Sequence, residues 1–248
     1  MLVGPLRSLL LRCHFRPSPA PMITDESRLL EAFNEQQTLI DLERNGYAHF
    51  GPIAQSCVHE ILEYCEKENR IHYWNPHQEC AAIDRVARNK IIVEVVRRYF
   101  GSEPILWLTQ IKWSSNVDTE GRRLSAAAYG EPRQYDHHSF HYDLNDVKAV
   151  TVFVYLTDVD AESGPHMVIK DTHKITSTQK LMRIVLDDRV AAKLYGARIE
   201  TILGPRGTAF IEDTLAYHKA SAGPKSRCIL SIDYVLRRRV PPQRPVLP

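Results

Sequence analysis

The chain has 248 residues, of which 44% are hydrophobic and 25% charged, and a formal net charge of +2. That length suits one well-cored domain of the larger β-rich kind or two small ones, and the composition is that of a folded chain rather than a disordered one. So small a net charge offers no broad field to recruit nucleic acid or an anionic membrane surface, and no stretch approaches the ~20 uninterrupted apolar residues of a membrane-spanning helix. Five cysteines (Cys13, Cys57, Cys65, Cys80 and Cys228) are odd in number and lack CxxC spacing. They argue against a disulfide framework or a structural zinc site, and for a reducing compartment.

Residues 1–24 carry Arg7, Arg12 and Arg16, no acid, and Pro5, Pro17, Pro19 and Pro21. The stretch reads as a basic, disordered tail on a cytoplasmic protein, with a mitochondrial presequence as the alternative. From Asp25 the pattern turns helical through Leu29, Phe33 and Ile40, and Asn45-Gly46 supplies a stop. Tyr47 to Ile53 predicts a short strand. Ser56 then predicts the N-cap of a second helix with Val58, Ile61, Leu62 and Cys65 on one face. Ile71 to Cys80 lacks a period and is expected to be a loop. A third helix is predicted over about Arg85 to Phe100, closed by Gly101.

Beyond Gly101 the period alternates. Ile105 to Trp113 predicts a strand with Leu108, Gln110 and Lys112 on one face, followed by a polar loop from Ser114 to Pro132. Val147 to Val159 is apolar on both faces, as for a central strand. His166 to Lys170 predicts another strand, and Ser177 to Leu194 a helical insert. Ile199 to Leu203, Gly207 to Glu212 and Arg227 to Leu236 are strands bounded by Gly, Pro or Ser. Helices first and short strands after give an α+β, mainly β chain whose core is a double-sheet jelly roll. The expected organisation is one domain over 25–240, helical over 25–101 with a jelly-roll core over 105–236, and a basic tail over 237–248.

Within this order, His137-His138-Ser139-Phe140-His141-Tyr142-Asp143 holds the chemistry. In an extended segment, His141 and Asp143 share a face. His218, at the end of the strand that runs through Glu212, would complete two histidines and one carboxylate. That facial set holds Fe(II) and keeps positions open for a chelating 2-oxo acid and O2. The far carboxylate of such an acid calls for a buried arginine, and Arg227 opens the last strand.

Around these residues, Tyr155-Leu156-Thr157-Asp158-Val159, Glu162-Ser163-Gly164-Pro165 and Asp171-Thr172-His173-Lys174 extend the pattern. Over about Asn45 to Leu236 the chain resembles the phytanoyl-CoA dioxygenase family. That resemblance implies a double-stranded β-helix (the cupin-like jelly roll) and an enzyme dependent on Fe(II), 2-oxoglutarate and O2. It implies His141, Asp143 and His218 as iron ligands and Arg227 as the 2-oxoglutarate-binding arginine. Phe153 matches an aromatic position beside that cosubstrate, and Gln110 or Lys112 would add a polar contact.

The chain departs from the family at Lys170-Asp171, where Pro-Gly is common, and nothing marks a coenzyme A site. Asp143 in the ligand position favours hydroxylation over halogenation. The expected activity is hydroxylation of an aliphatic carbon in a small metabolite, lipid or sugar-like substrate, releasing succinate and CO2. A cupin-like metalloenzyme without 2-oxoglutarate and a non-catalytic jelly-roll binding module stay open. His173 is expected to be structural, His137 and His138 to sit in the approach to the site, Tyr142 and Asn145 are candidates to face substrate, and Trp74, Trp107 and Trp113 are expected in the core.

Overall fold

The computed structural model describes residues 29–30, 33–70, 72–114, 139–175, 180, 183–221 and 223–237. The expectations for both tails, for most of the loop after Ser114, for His137 and His138, and for the start of the 177–194 insert lie outside these residues.

Among the described residues, four helices come first. α1 (Glu35–Asn45) begins where the Asn34 side chain accepts the Gln37 N–H, and it ends at Gly46 with φ 82. The described residues Leu29, Leu30 and Phe33, expected in the helical pattern from Asp25, lie outside this helix. Its buried face is Thr38, Leu39 and Leu42, while Ile40 is 48% exposed. Gly46 is required twice over: its φ is left-handed, and a Cβ there would sit 2.5 Å from His173 Nδ1.

β1 (Tyr47–Pro52) leads to α2 (Gln55–Glu68). The N-cap of α2 is Ala54 rather than Ser56, and it makes no side-chain cap bond. The segment expected to be a loop instead contains β2 (His72–Trp74) and a 3-10 turn (Pro76–Gln78). The long helix predicted from Arg85 is two, α3 (Ala81–Ala87) and α4 (Lys90–Phe100). Asn89 divides them because its side chain accepts the Ile91 and Ile92 N–H groups, an N-cap that competes with helix continuation.

The remaining strands are β3 (Ile105–Ser114), β4 (Phe140–His141), β5 (Ala149–Tyr155), β6 (His166–Ile169), β7 (Val185–Leu186), β8 (Ile199–Ile202), β9 (Thr208–Asp213), β10 (Tyr217–Ala220) and β11 (Arg227–Val235), with α5 (Asp188–Tyr195) between β7 and β8. They form two antiparallel sheets, ordered β1-β9-β5-β11-β3-β2 and β7-β4-β10-β6-β8. This is the expected jelly roll, with β5 and β11 in the middle of the larger sheet.

Alternation along β11 explains the layering. Cys228, Leu230, Ile232 and Tyr234 face the helices and join Leu42, Ile61, Ile83, Val95 and Val96 in the main core. Each such apolar side chain taken from water contributes roughly 1.5–3 kcal/mol. Ile229 faces the other way, into a second cluster with Tyr155, Phe210, Val168 and Ile202 between the sheets. The inner face of the larger sheet is therefore the wall whose side chains meet the second sheet rather than the helices. Among the described residues, no helix is long and apolar enough to cross a membrane.

Candidate metal and cosubstrate site

His141 and His218 are direct partners across β4 and β10, so their imidazoles share one face, with ring centroids 4.6 Å apart. Asp143 reaches them by a different route from the one strand alternation predicts. β4 ends at His141, and the Asp143 N–H donates to the Thr214 carbonyl at 2.8 Å, which draws the chain onto the turn before β10. The Asp143 carboxylate lies 3.8 Å from His218 Nε2, and one ligand atom from each of the three residues lies within 4.8 Å of the others. The two histidines are buried and Asp143 is half-buried.

The rings are held from behind. His141 Nδ1 is 2.9 Å from the Ser139 carbonyl oxygen, and His218 Nδ1 is 3.1 Å from that of Ala216. A carbonyl accepts only from N–H, so both rings carry the proton on Nδ1 and keep Nε2 as the nitrogen for a metal. The turn that delivers His218 is itself pinned. Asp213 accepts the Leu215 N–H at 3.0 Å and the Tyr99 hydroxyl at 2.6 Å, and the Tyr217 N–H donates to Thr172 Oγ1 at 2.9 Å. A helix residue, Tyr99 of α4, thus helps fix a site two layers away.

Beside His218 stands Glu212, fully buried, with Oε2 2.7 Å from His166 Nε2 and Oε1 2.9 Å from His218 Nδ1. Burial alone lowers the His218 pKa, but the Glu212 carboxylate and then Asp143 outweigh it and hold the ring above the ordinary imidazole range. Burial likewise opposes ionisation of Glu212, yet the two histidines keep it below the usual carboxylate range. His166 is pushed down, by burial first, against the pull of Glu212. The sequence reading did not single out Glu212 or His166. The available signal was an acid on the inward-facing positions of an otherwise apolar strand.

Arg227 is 4% exposed at the start of β11. Its Nη1 donates to the Gly164 carbonyl, its Nε has no partner, and Tyr155 is the nearby group that favours its charge. No carboxylate among the described residues pairs with it, and burial lowers its pKa. A buried guanidinium in this state is incompletely compensated and suits an anion from outside the chain. That is the fit expected for the distant carboxylate of a 2-oxo acid.

The residues expected to contact the cosubstrate line the same wall. Gln110 and Lys112 pair across the ladder with Ser231 and Ile229, on the face that Arg227 shares, and Gln110 Nε2 is 3.2 Å from His72 Nε2. Phe153 pairs with Ser231 from the other side, and its ring lies 4.8 Å from that of His166 and 5.0 Å from that of Phe210. Trp74 pairs with Gln110 and is half-buried on this inner face, whereas Trp113 packs against the main core. Tyr142 does not face substrate: it is buried in the cluster behind the smaller sheet, 5.4 Å from Tyr217. His173 has the structural place expected for it, with Nε2 3.2 Å from the Glu43 carbonyl.

No curated protein sequence matches the chain significantly. Among solved structures, the non-heme α-ketoglutarate-dependent epimerase SnoN from nogalamycin biosynthesis matches with a TM-score of 0.63 and 15% identity, over 81% of this chain and 82% of that one. EctD from S. alaskensis with bound Fe matches with a TM-score of 0.60 and 17% identity, over 93% and 88%. AviO1 from Streptomyces viridochromogenes Tue57 matches with 0.58 and 12%, over 86% and 100%. At such identities these likenesses speak to the jelly roll alone. The family model for phytanoyl-CoA dioxygenase matches residues 42–228, a span that runs from the end of α1 past His141, Asp143, His218 and Arg227. The chain therefore belongs to the phytanoyl-CoA dioxygenase family of iron- and 2-oxoglutarate-dependent oxygenases.

Proposed function

We propose that the chain is a dioxygenase that hydroxylates an aliphatic carbon of a small metabolite, lipid or sugar-like substrate. In this reading His141, Asp143 and His218 hold Fe(II), and Arg227 binds the far carboxylate of 2-oxoglutarate, assisted by Phe153 and by Gln110 or Lys112. The observation that carries it is Arg227: a buried cation with no acid partner among the described residues, on the wall facing a two-histidine, one-carboxylate cluster. Solved neighbours support it, since one SnoN structure contains Fe3+ and α-ketoglutarate and one EctD structure contains 2-oxoglutarate and 5-hydroxyectoine.

Bound iron and 2-oxoglutarate supply the oxidising chemistry, in which O2 is consumed and succinate and CO2 are released. The chain supplies the rest. The carbonyls of Ser139 and Ala216 aim the two imidazoles, the Thr214 carbonyl holds the Asp143 backbone, and the Phe153, Phe210 and Tyr155 rings form an apolar cluster between the sheets. Asp143 keeps a carboxylate in the coordination position that a halide would take, which favours hydroxylation over halogenation.

The test is anaerobic addition of Fe(II) and 2-oxoglutarate, with a visible charge-transfer band expected in the wild type and absent in His141→Ala. Succinate release over a panel of candidate substrates then identifies the substrate class, and product analysis identifies the outcome. A wild-type protein that binds neither ligand refutes the reading. A cupin-like enzyme that uses no 2-oxo acid would retain its activity when Arg227 is replaced.

A further inference from the structure

We propose that Glu212 is a positioning residue that holds His218 as an electron-rich ligand, with His166 anchoring Glu212 from the opposite side. The proposal rests on the reading of His218 as an iron ligand and goes beyond it, because Glu212 and His166 touch no metal position in that reading.

Glu212 lies near the end of β9, His166 opens β6 and His218 lies in β10, so three strands from both sheets bring one carboxylate between two imidazoles. The carboxylate is 0% exposed, Oε2 is 2.7 Å from His166 Nε2, and Oε1 is 2.9 Å from His218 Nδ1. The Nδ1–H of His218 donates to the Ala216 carbonyl, which leaves Oε1, 2.9 Å from Nδ1, with no hydrogen-bond partner of its own among the described residues. Oε1 therefore presents its negative charge to the back of the ring while the carbonyl fixes the ring's direction.

An ionised carboxylate buried this deeply is costly unless it is paired. A purely structural role would be met by His166 alone. The second contact falls on Nδ1, the nitrogen opposite the one that faces His141 and Asp143. A carboxylate charge at that place raises the basicity of the ligating nitrogen electrostatically, while the Nδ1–H bond to the Ala216 carbonyl limits ring rotation. His166 is held against Glu212 by stacking: its ring is 4.8 Å from that of Phe153, and lies 5.6 Å from that of His218 at an interplanar angle of 17°. This clamp favours the more highly charged metal, so it lowers the Fe(III)/Fe(II) potential as well as tightening Fe(II).

The experiment compares full-length wild type, Glu212→Gln, Glu212→Asp and His141→Ala by anaerobic Fe(II) competition titration and by spectroelectrochemistry of the iron-loaded protein. Glu212→Gln keeps the shape and the bond to His166 but removes the charge. It is expected to bind Fe(II) about 10- to 100-fold more weakly. Its Fe(III)/Fe(II) affinity ratio should fall about tenfold, an upward potential shift of roughly 59 mV. Glu212→Asp should fall between it and wild type, and decides the matter if Glu212→Gln does not fold. Wild-type affinity and potential in a folded Glu212 variant, with Fe(II) lost in His141→Ala, overturns the proposal alone. Fe(II) binding in His141→Ala equal to wild type overturns the ligand reading beneath it.

Discussion

Replacing Arg227 with Met separates a cosubstrate clamp from a structural ion pair, because the two roles predict different losses of stability. Arg227 is 4% exposed, donates to the Gly164 carbonyl and to the Tyr155 side chain, and has no acid partner among the described residues. Breaking an ordinary buried ion pair leaves its partner charged and alone, at a cost of about 3–5 kcal/mol. Here no partner charge is stranded. The loss is about 1–3 kcal/mol for the unsatisfied Gly164 carbonyl, offset by relief of a buried cation whose desolvation is of several kcal/mol. Urea unfolding of the ligand-free protein should therefore place Arg227→Met within about 2 kcal/mol of wild type, on either side.

Binding should respond much more strongly. Removal of a buried charge-assisted contact costs about 2–5 kcal/mol, so 2-oxoglutarate affinity should fall by roughly 30- to 3000-fold. Fe(II) affinity, which depends on the other wall, should be unchanged. Arg227→Lys should recover only part of the loss, since an ammonium lacks the planar fork. The assay is titration of the charge-transfer band with 2-oxoglutarate in Fe(II)-loaded protein. A variant destabilised by 3 kcal/mol or more that binds 2-oxoglutarate normally would refute the assignment.

Three further outcomes follow from the geometry. Tyr99→Phe removes the hydroxyl that donates to Asp213 at 2.6 Å, and should cost about 1–3 kcal/mol in urea unfolding while weakening Fe(II) binding through the 213–217 turn. Gly46→Ala places a Cβ 2.5 Å from His173 Nδ1 at φ 82, and should destabilise by at least about 1–3 kcal/mol, read as a lowered Tm. Asp233 accepts the Thr151 hydroxyl at 2.5 Å, and burial, followed by the Asp143 charge, raises its pKa to about 7. An acid with a raised folded pKa binds more protons folded than unfolded, so its contribution to stability falls as pH rises from about 4 to 7. The limit is about 4 kcal/mol, and roughly 1–3 kcal/mol is expected for a side chain partly open to solvent. Metal-free Asp233→Asn should lose that much less stability than wild type between pH 4 and 7 in urea titrations, and equal losses would place the titration elsewhere.

The residues alone determined a good deal. Alternation from Ile105 onward determined the strands, because one face of each must be apolar and the period of two is local. β5 was readable as central because both of its faces are apolar. His141, Asp143, His218 and Arg227 were readable as a set because metal and anion chemistry restrict residue type so strongly. Tertiary structure decided how they meet. Asp143 joins the histidines through the Thr214 carbonyl and not through strand alternation, a contact between segments about seventy positions apart. Tertiary structure also decided that Tyr142 is core, that Trp74 lines the inner face, and that Asn89 splits a helix whose periodicity continues across it. Above all it brought Glu212 and His166 to the back of His218. An acid in an apolar strand announces that something must compensate it, but what compensates it depends on which strands become neighbours, and that is a property of the folded chain.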